Sequence, residues 1–174
     1  MTGQNTRQIM EMEQKLFIQY MREHKGIIYK ICNSYCTNKD DRDDLAQDII
    51  YNLWKSFKSF NPDFKFSTWM YRIALNVAIS FYRQDKKFKY LDAVSEELIV
   101  FEESIETKQD ETKNLALLQS FINDLKEIDK AIILLYLDDK SHKEISEITG
   151  FTETNVATKI NRIKEKIRLK FINN

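Results

Sequence analysis

The chain is predicted to be all-α, built as two small helical domains joined by a linker. Three observations carry that expectation. Only three glycines and one proline occur in 174 residues, with 43% of residues apolar and 31% charged, a composition that suits long helices around a buried core. Apolar residues recur at three- and four-residue spacing through every long segment, the period of a one-sided helix. Between residues 91 and 113 that period fades and acidic residues take over, which marks a linker and divides the chain into residues 1–90, 91–113 and 114–174.

The first helix is expected from Glu13 to Tyr35. Leu16, Phe17, Tyr20, Ile27, Ile28 and Ile31 lie on one side, and Gly26 is a weak point that leaves either one helix or two broken near His24. Asn38 to Asp40 stops it. The acidic run that follows suits a helix start, where carboxylates meet unpaired N–H groups and the positive end of the dipole. The second helix runs from about Arg42 to Phe57. Leu45, Ile49, Leu53 and Phe57 form its apolar face, widened by Ala46, Ile50 and Trp54, and Asp44, Gln47, Asp48, Tyr51 and Lys55 gather opposite. Spacing alone favours an ordinary solvated face for that second group.

Asn61-Pro62 marks a turn, and Ser67 is the expected N-cap of a third helix reaching about Phe88. Its broad apolar arc takes in Trp69, Met70, Ile73, Ala74, Val77, Ala78 and Phe81. The remaining stripe is Arg72, Asn76, Ser80, Arg83 and Lys87, continued by Lys86 and Lys89. Cations beside aromatic rings are the residue types that hold phosphates and stack on exposed bases. The linker follows, with a short helix expected around Leu98 to Phe101.

Four helices are expected after Asn114. Leu115, Leu118, Phe121, Ile122 and Leu125 mark one, and Ile128 to Leu137 the next. Ser141-His142-Lys143-Glu144 is a capping box opening a third, which ends at Gly150. Thr152 caps the last, whose core face is Val156, Ile160, Ile163 and Ile167. Helix, glycine turn and basic helix make a helix-turn-helix pattern. Asn155, Thr158, Lys159, Arg162 and Lys166 point away from that core, and they are types that read base edges and grip phosphates. A plain helical hairpin is the competing reading.

The formal net charge of zero conceals segregation. Residues 1–90 hold 15 Lys/Arg against 10 Asp/Glu, residues 91–113 hold 2 against 8, and residues 156–174 hold 6 against 1. Basic ends around an acidic middle point to a nucleic-acid binder. With two histidines, no glycine-rich phosphate loop and no metal-ligand cluster, the parts of an enzyme are wanting. Cys32 and Cys36, four apart with His24 two turns earlier, are read as buried reduced thiols and not as metal ligands. No cofactor is expected. No apolar run is long enough to span a bilayer, and the N-terminus lacks the layout of a signal peptide, which places the protein in the cytoplasm.

Three quoted segments together resemble a bacterial RNA polymerase sigma factor of the small extracytoplasmic-function group. DDLAQDIIYNLWKSF is similar to that family's core-binding helix, FKFSTWMYRIALNVAISFYR to its minus-ten-reading and melting segment, and SHKEISEITGFTETNVATKINRIKEKIR to its minus-thirty-five helix-turn-helix. The resemblance covers nearly the whole chain after about Glu13. It implies a protein that binds core RNA polymerase and directs promoter-specific initiation, without catalysing nucleotidyl transfer itself. Its implied partners are core polymerase, promoter DNA and a separate anti-sigma protein. By the same resemblance Asp44, Gln47 and Asp48, with Tyr51 and Lys55, meet the polymerase clamp. Lys65, Phe66, Trp69, Arg72, Asn76 and Arg83 take the opened minus-ten strand, whose extruded base sits against the Pro62 loop. Asn155, Thr158, Lys159, Arg162 and Lys166 read the upstream element. The acidic linker is expected in the path later taken by RNA.

Two departures stand out. Where housekeeping relatives carry adjacent tryptophans, this chain has Trp69-Met70-Tyr71-Arg72. Where many relatives have Gly-Thr-Val-Lys-Ser-Arg, it has Thr154-Asn155-Val156-Ala157-Thr158-Lys159, so a lysine without bidentate reach to guanine ends the run. The alternative function is a stand-alone helix-turn-helix regulator, which has no need of both the acidic face and the aromatic basic helix.

Overall fold

The structure, a computed structural model, describes residues 2–92 and 109–172, with side chains placed for 7–84 and 117–172. Seven α-helices and one 3₁₀ turn account for the described secondary structure, with no strand among the described residues. The chain forms two compact units, Met1–Ala78 and Ile79–Asn174. The sequence pattern placed its first boundary at residue 90, whereas this division falls inside a continuous helix.

In the first unit α1 (Thr2–Tyr35) runs unbroken through Gly26, where an added Cβ would meet open space. The weak point therefore does not break the helix, and α1 begins 11 residues earlier than the apolar spacing suggested. Asn38 caps α2 (Lys39–Ser56), its Oδ1 accepting from the Asp41 N–H at 2.7 Å, with Asp40 and Asp41 in the first turn. Arg42 Nη1 donates to Asn33 Oδ1 at 3.2 Å and ties α2 to α1. Leu45, Ile49 and Leu53 are fully buried, and Ile28, Ile31, Cys32 and Tyr35 of α1 are buried with Cys36 just after it. A 3₁₀ turn (Phe57–Ser59) follows, then a loop, then α3 (Phe66–Asp92).

Two expectations about α3 are corrected. Ser67 is not its N-cap: the helix has already begun at Phe66, and Lys65 O accepts from the Thr68 and Trp69 N–H groups. The buried line is Met70, Tyr71, Ala74, Leu75 and Ala78, while Trp69, Ile73, Val77 and Phe81 are half-buried at its border. Tyr71 and Leu75 continue the stripe set by Met70, Ala74 and Ala78 at four-residue spacing, which rotates the core face away from the larger side chains. The short helix expected around Leu98 to Phe101 lies outside the described residues.

The second unit contains α4 (Gln109–Asp124), α5 (Glu127–Leu137), α6 (His142–Thr149) and α7 (Glu153–Ile172). Helix α4 starts within the stretch expected to be linker. Phe121, Ile122, Leu125, Ile133 and Ile163 form a core cluster with Leu118, Tyr136 and Ile167 against it. Val156 and Ile160 of α7 are buried like Ile145 and Ile148 of α6. Helix α5 ends in a Schellman turn: Lys140 N donates to Leu135 O and Asp139 N to Tyr136 O, both at 3.1 Å, with Asp139 at φ 55°.

Between α6 and α7 the turn chemistry is dense. Ser141 Oγ accepts from Glu144 N at 3.2 Å while Ser141 N donates to Glu144 Oε2 at 3.0 Å, closing the capping box. Gly150 sits at φ 78° and donates to Ser146 O at 2.8 Å. Ser146 Oγ donates to Phe151 O at 2.6 Å, and Thr152 Oγ1 accepts from Asn155 N at 3.3 Å to start α7. The angle between the two helices is thus held by side chains local to the turn.

One substitution is expected to act with opposite sign at two glycines. Gly26→Ala should raise unfolding stability by about 0.5–1 kcal/mol, since it removes backbone entropy in a helix interior with room for the methyl group. Gly150→Ala should lower it by about 1–2 kcal/mol because it forces a Cβ into the left-handed region. Urea unfolding midpoints of the two variants check both signs.

Candidate functional site

The first unit presents an acidic and apolar surface on α2. Asp44, Gln47, Asp48, Tyr51 and Lys55 are all exposed, and the two carboxylates have no ion pair among the described residues. The sequence pattern assigned Ile50 and Trp54 to the apolar face that widens the core. They are instead 42% and 39% exposed. Buried Leu45, Ile49 and Leu53 already fill the interface with α1, and one helix cannot bury positions a quarter-turn further round without a second neighbour. Ile50 and Trp54 line a shallow recess with Phe17, Ile18, Gln47 and Tyr51. Along α1 the apolar surface continues through Ile18, Met21 and Tyr29. An exposed aromatic and aliphatic patch rimmed by carboxylates has the anatomy of a protein interface, dry at its centre and charged at its edge.

Beside it lies an aromatic cluster that seats the loop before α3. The Phe66 ring is 5% exposed and stacks on Tyr20 with centroids 4.3 Å apart and planes 10° from parallel. His24 lies over Phe66 at 5.4 Å, and Phe60 and Trp69 each approach it to 5.2 Å. Phe57 joins Phe60 and Trp69 at 6.3 and 6.4 Å. Phe66 is therefore a packing ring beneath the loop and is not an exposed platform for a base. The ring that the loop exposes is Phe64, at 68%. An Asn61 turn presents it: Asn61 Oδ1 accepts from Asp63 N at 3.0 Å and Asn61 O from Phe64 N at 3.1 Å. The sequence reading passed over Phe64 because an isolated aromatic in a loop has no periodicity to mark it. Asn61-Pro62, as a turn signal three residues earlier, was the available clue.

Lys65, Arg72 and Asn76 are exposed and Trp69 is half-buried on the same helix start. Arg83, in the second unit, is exposed but engaged: its Nε donates to Glu127 Oε1 of α5 at 2.8 Å. In the same unit the Lys130 ammonium lies 5.1 Å from the Tyr82 ring centroid. Lys86, Lys87 and Lys89 lie outside the described side chains.

On α7, Asn155, Thr158, Arg162 and Lys166 are exposed along the outer face. The Thr158 hydroxyl donates back to Thr154 O at 2.9 Å. Arg162 and Lys166 carry no ion pair among the described residues. Lys159 differs from the rest, because its ammonium donates to Asp129 Oδ1 of α5 at 2.8 Å and lies 5.6 Å from the Phe151 ring centroid. The structure thus groups four of the five expected reader side chains on a free face and draws the fifth toward α5.

Cys32 and Cys36 are both buried and not joined in a disulfide. Burial, with the Asp43 carboxylate adding to it, pushes the Cys32 thiol from its ordinary 9.0 up to about 11. Among the described residues no group of three or more His, Cys, Asp or Glu is placed to hold a metal ion, and no described helix is long and apolar enough to cross a membrane.

Two family models match the chain. Residues 20–88 match Sigma-70 region 2 and residues 115–167 match Sigma-70, region 4. The chain is 30% identical to the ECF RNA polymerase sigma factor SigW of Bacillus subtilis, over 97% of this chain and 95% of that protein. It is also 30% identical to the RNA polymerase sigma factor SigV of the same organism, over 88% and 90%. Two solved structures share the fold. CnrH in complex with the cytosolic domain of CnrY gives a TM-score of 0.67 at 21% identity, covering 92% of this chain and 90% of that one. The sigma factor RpoE in complex with the anti-sigma factor NepR, from Bartonella quintana, gives 0.70 at 20%, covering 90% and 97%.

The ring placements separate two phenylalanines two residues apart. Phe66→Ala should cost about 3–5 kcal/mol of unfolding free energy, whereas Phe64→Ala should stay within about 0.5 kcal/mol of the parent, both read by chemical denaturation. Cys32 adds a pH signature. Its folded thiol holds its proton to about 11 while the unfolded one releases it near 9.0. The stability it contributes is therefore complete below pH 9 and is lost as pH rises toward 11. A Cys32→Val variant should show a shallower decline over that window than the parent.

Proposed function

We propose roles for the individual surfaces from one premise: this chain belongs to the extracytoplasmic-function group of RNA polymerase sigma factors. A protein of that group directs promoter-specific transcription initiation, with core RNA polymerase and promoter DNA as its partners. Sigma factors are non-catalytic transcription factors, and we read this chain likewise as leaving nucleotidyl transfer to the polymerase. Its place of work is then the cytoplasm, where polymerase and promoter meet.

Helix α2 is read as the polymerase-docking element. The observation that carries this is the unpartnered set Asp44, Gln47 and Asp48 beside the exposed Ile50 and Trp54. Carboxylates meeting arginines form charge-assisted hydrogen bonds roughly twice as strong as neutral ones, and they fix orientation. The tryptophan supplies the desolvated anchor that such interfaces concentrate their energy in. Tyr51 and Lys55 extend the same face.

The loop from Asn61 to Lys65 and the start of α3 are read as the minus-ten site. Removing a base from its stack costs a few kcal/mol, and one aromatic stack returns about 1–3 kcal/mol. The exposed ring suited to that stack is Phe64, with Trp69 on the adjoining border and Lys65, Arg72 and Asn76 for phosphate and base edges. Phe66 supports the loop from beneath. Arg83, further along the same helix, would meet a phosphate only by exchanging Glu127 for it. Helix α7 is read as the minus-thirty-five reader through Asn155, Thr158, Arg162 and Lys166, with Lys159 beside them. We further infer a separate anti-sigma protein that holds the factor inactive. That reading is supported by the two fold neighbours, each of which is seen with its own partner.

The deciding experiment is transcription from a promoter library by purified core polymerase with and without the protein. Promoter-dependent transcripts that appear only with it are expected; their absence, together with tight core-independent binding to duplex DNA, would overturn the reading. Asp48→Arg should weaken core binding by at least tenfold with helicity intact, and Trp54→Ala by about 30-fold, both measured by competition against a labelled sigma factor. Phe64→Ala should reduce open-complex formation on the recovered promoters without altering core affinity.

A further inference from the structure

The recognition helix carries its cations in two different states. Arg162 and Lys166 extend from α7 without an ion pair among the described residues. Lys159, one turn earlier, points its ammonium at Asp129 Oδ1 with 2.8 Å between them, and the two side chains are 27% and 24% exposed. Three-quarters shielded from water, that pair is screened far less than a surface ion pair and persists in ordinary salt. The Phe151 ring, fixed at the helix-turn-helix turn by the Ser146 hydrogen bond to its carbonyl, lies beneath the same ammonium at 5.6 Å. Asp129, Lys159, Arg162 and Lys166 together line an open recess of about 450 Å³.

A charge held this way cannot act on DNA as a free lysine does. Each cation that meets a phosphate adds sequence-independent affinity by releasing a counterion. Lys159 can contribute that only by leaving Asp129, and it would then expose an uncompensated carboxylate next to the phosphate backbone. We propose that Asp129 is a specificity-determining residue of this sigma factor: by holding Lys159 out of phosphate contact it lowers non-specific attraction, and it leaves discrimination to Asn155, Thr158, Arg162 and Lys166. The proposal rests on the reading of α7 as the upstream-element reader. Lys159 serves as the partner of Asp129, and a single ammonium suffices for that.

The test uses full-length protein assembled with core polymerase. Its probes are a promoter fragment recovered from the library and the same fragment with the upstream element scrambled, titrated from 50 to 200 mM salt. Asp129→Asn keeps the shape and removes the charge. It should steepen the slope of log affinity against log salt by about 0.9, one released counterion. That amounts to an additional loss of about 3.5-fold across the range, and preference for the intact element should fall. The double variant Asp129→Asn/Lys159→Gln should return to the parental slope, and Lys159→Gln alone should leave the slope unchanged. A merely structural role for the pair would alter unfolding stability without moving these slopes. An unchanged slope in Asp129→Asn overturns the proposal, as does a slope about 0.9 shallower in Lys159→Gln alone, which would mean that Lys159 already grips a phosphate. Should Asp129→Asn fail to fold, Asp129→Ser, which also removes the charge, takes its place with the same steepening expected. Arg162→Ala separates the two levels. If it weakens binding to the intact element while Asp129→Asn changes nothing, only the role of Asp129 falls. If it leaves binding unchanged, the assignment of α7 falls and takes the proposal with it.

Discussion

The stack of Tyr20 on Phe66 is the contact on which the first unit's working surface depends. A loop whose tip residues are exposed has little of its own to hold it in one conformation. Here both of its ends enter a ring cluster, through Phe57 and Phe60 before it and Phe66 and Trp69 after it. Aromatic pairs of this kind contribute about 0.5–1.5 kcal/mol each beyond area burial, and several converge on Phe66. Because Tyr20 and His24 come from α1, the loop is positioned by side chains more than 30 residues away in sequence. The base capture proposed for this loop would need that rigidity, since binding would otherwise have to supply the cost of ordering it.

Helix α2 shows the opposite use of apolar side chains. Its sequence carries more hydrophobic surface than the packing in the unit covers, and Ile50 and Trp54 stay partly in water. Left alone, such a patch is a liability for solubility. Next to Asp44, Gln47 and Asp48 it has the make-up of the dry centre that the proposed docking role requires. Under the proposed docking role, the stability forgone in the free protein would be regained where the polymerase covers the patch. Places where a helix breaks its own amphipathic pattern are where function is expected to reside.

The second unit keeps its geometry by local means. Ser141 with Glu144, Gly150, Ser146 with Phe151, and Thr152 with Asn155 are all interactions within a few residues, and together they define the turn between α6 and α7. Long-range contacts then decide how the cations of α7 are used. Asp129 and Lys159 are 30 residues apart, and their pairing sets one charge of α7 apart from its neighbours.

Much of this was legible in the sequence. The helical periods located all seven helices apart from their ends, the capping box and Gly150 marked the helix-turn-helix, and the acidic run after Asp40 marked the start of α2 to within a few residues. These signals are local: a cap, a turn residue or a one-sided stripe acts within a turn or two of itself, so one-dimensional order suffices to find it. Other features could not be read so. Ser67 had the chemistry of a cap but lies inside a helix already started at Phe66. Phe66 and Phe64 are alike in sequence, yet one is buried and the other exposed, because Tyr20 occupies the space beside only one of them. Ile50 and Trp54 look like core until the width of the α1 contact is known. Lys159 looks like a free cation until α5 brings Asp129 beside it. The chain by itself determined which segments are helices and which charges they carry. Only the tertiary structure decided which rings are covered and which charges are paired, because burial and pairing depend on neighbours that sequence distance does not reveal.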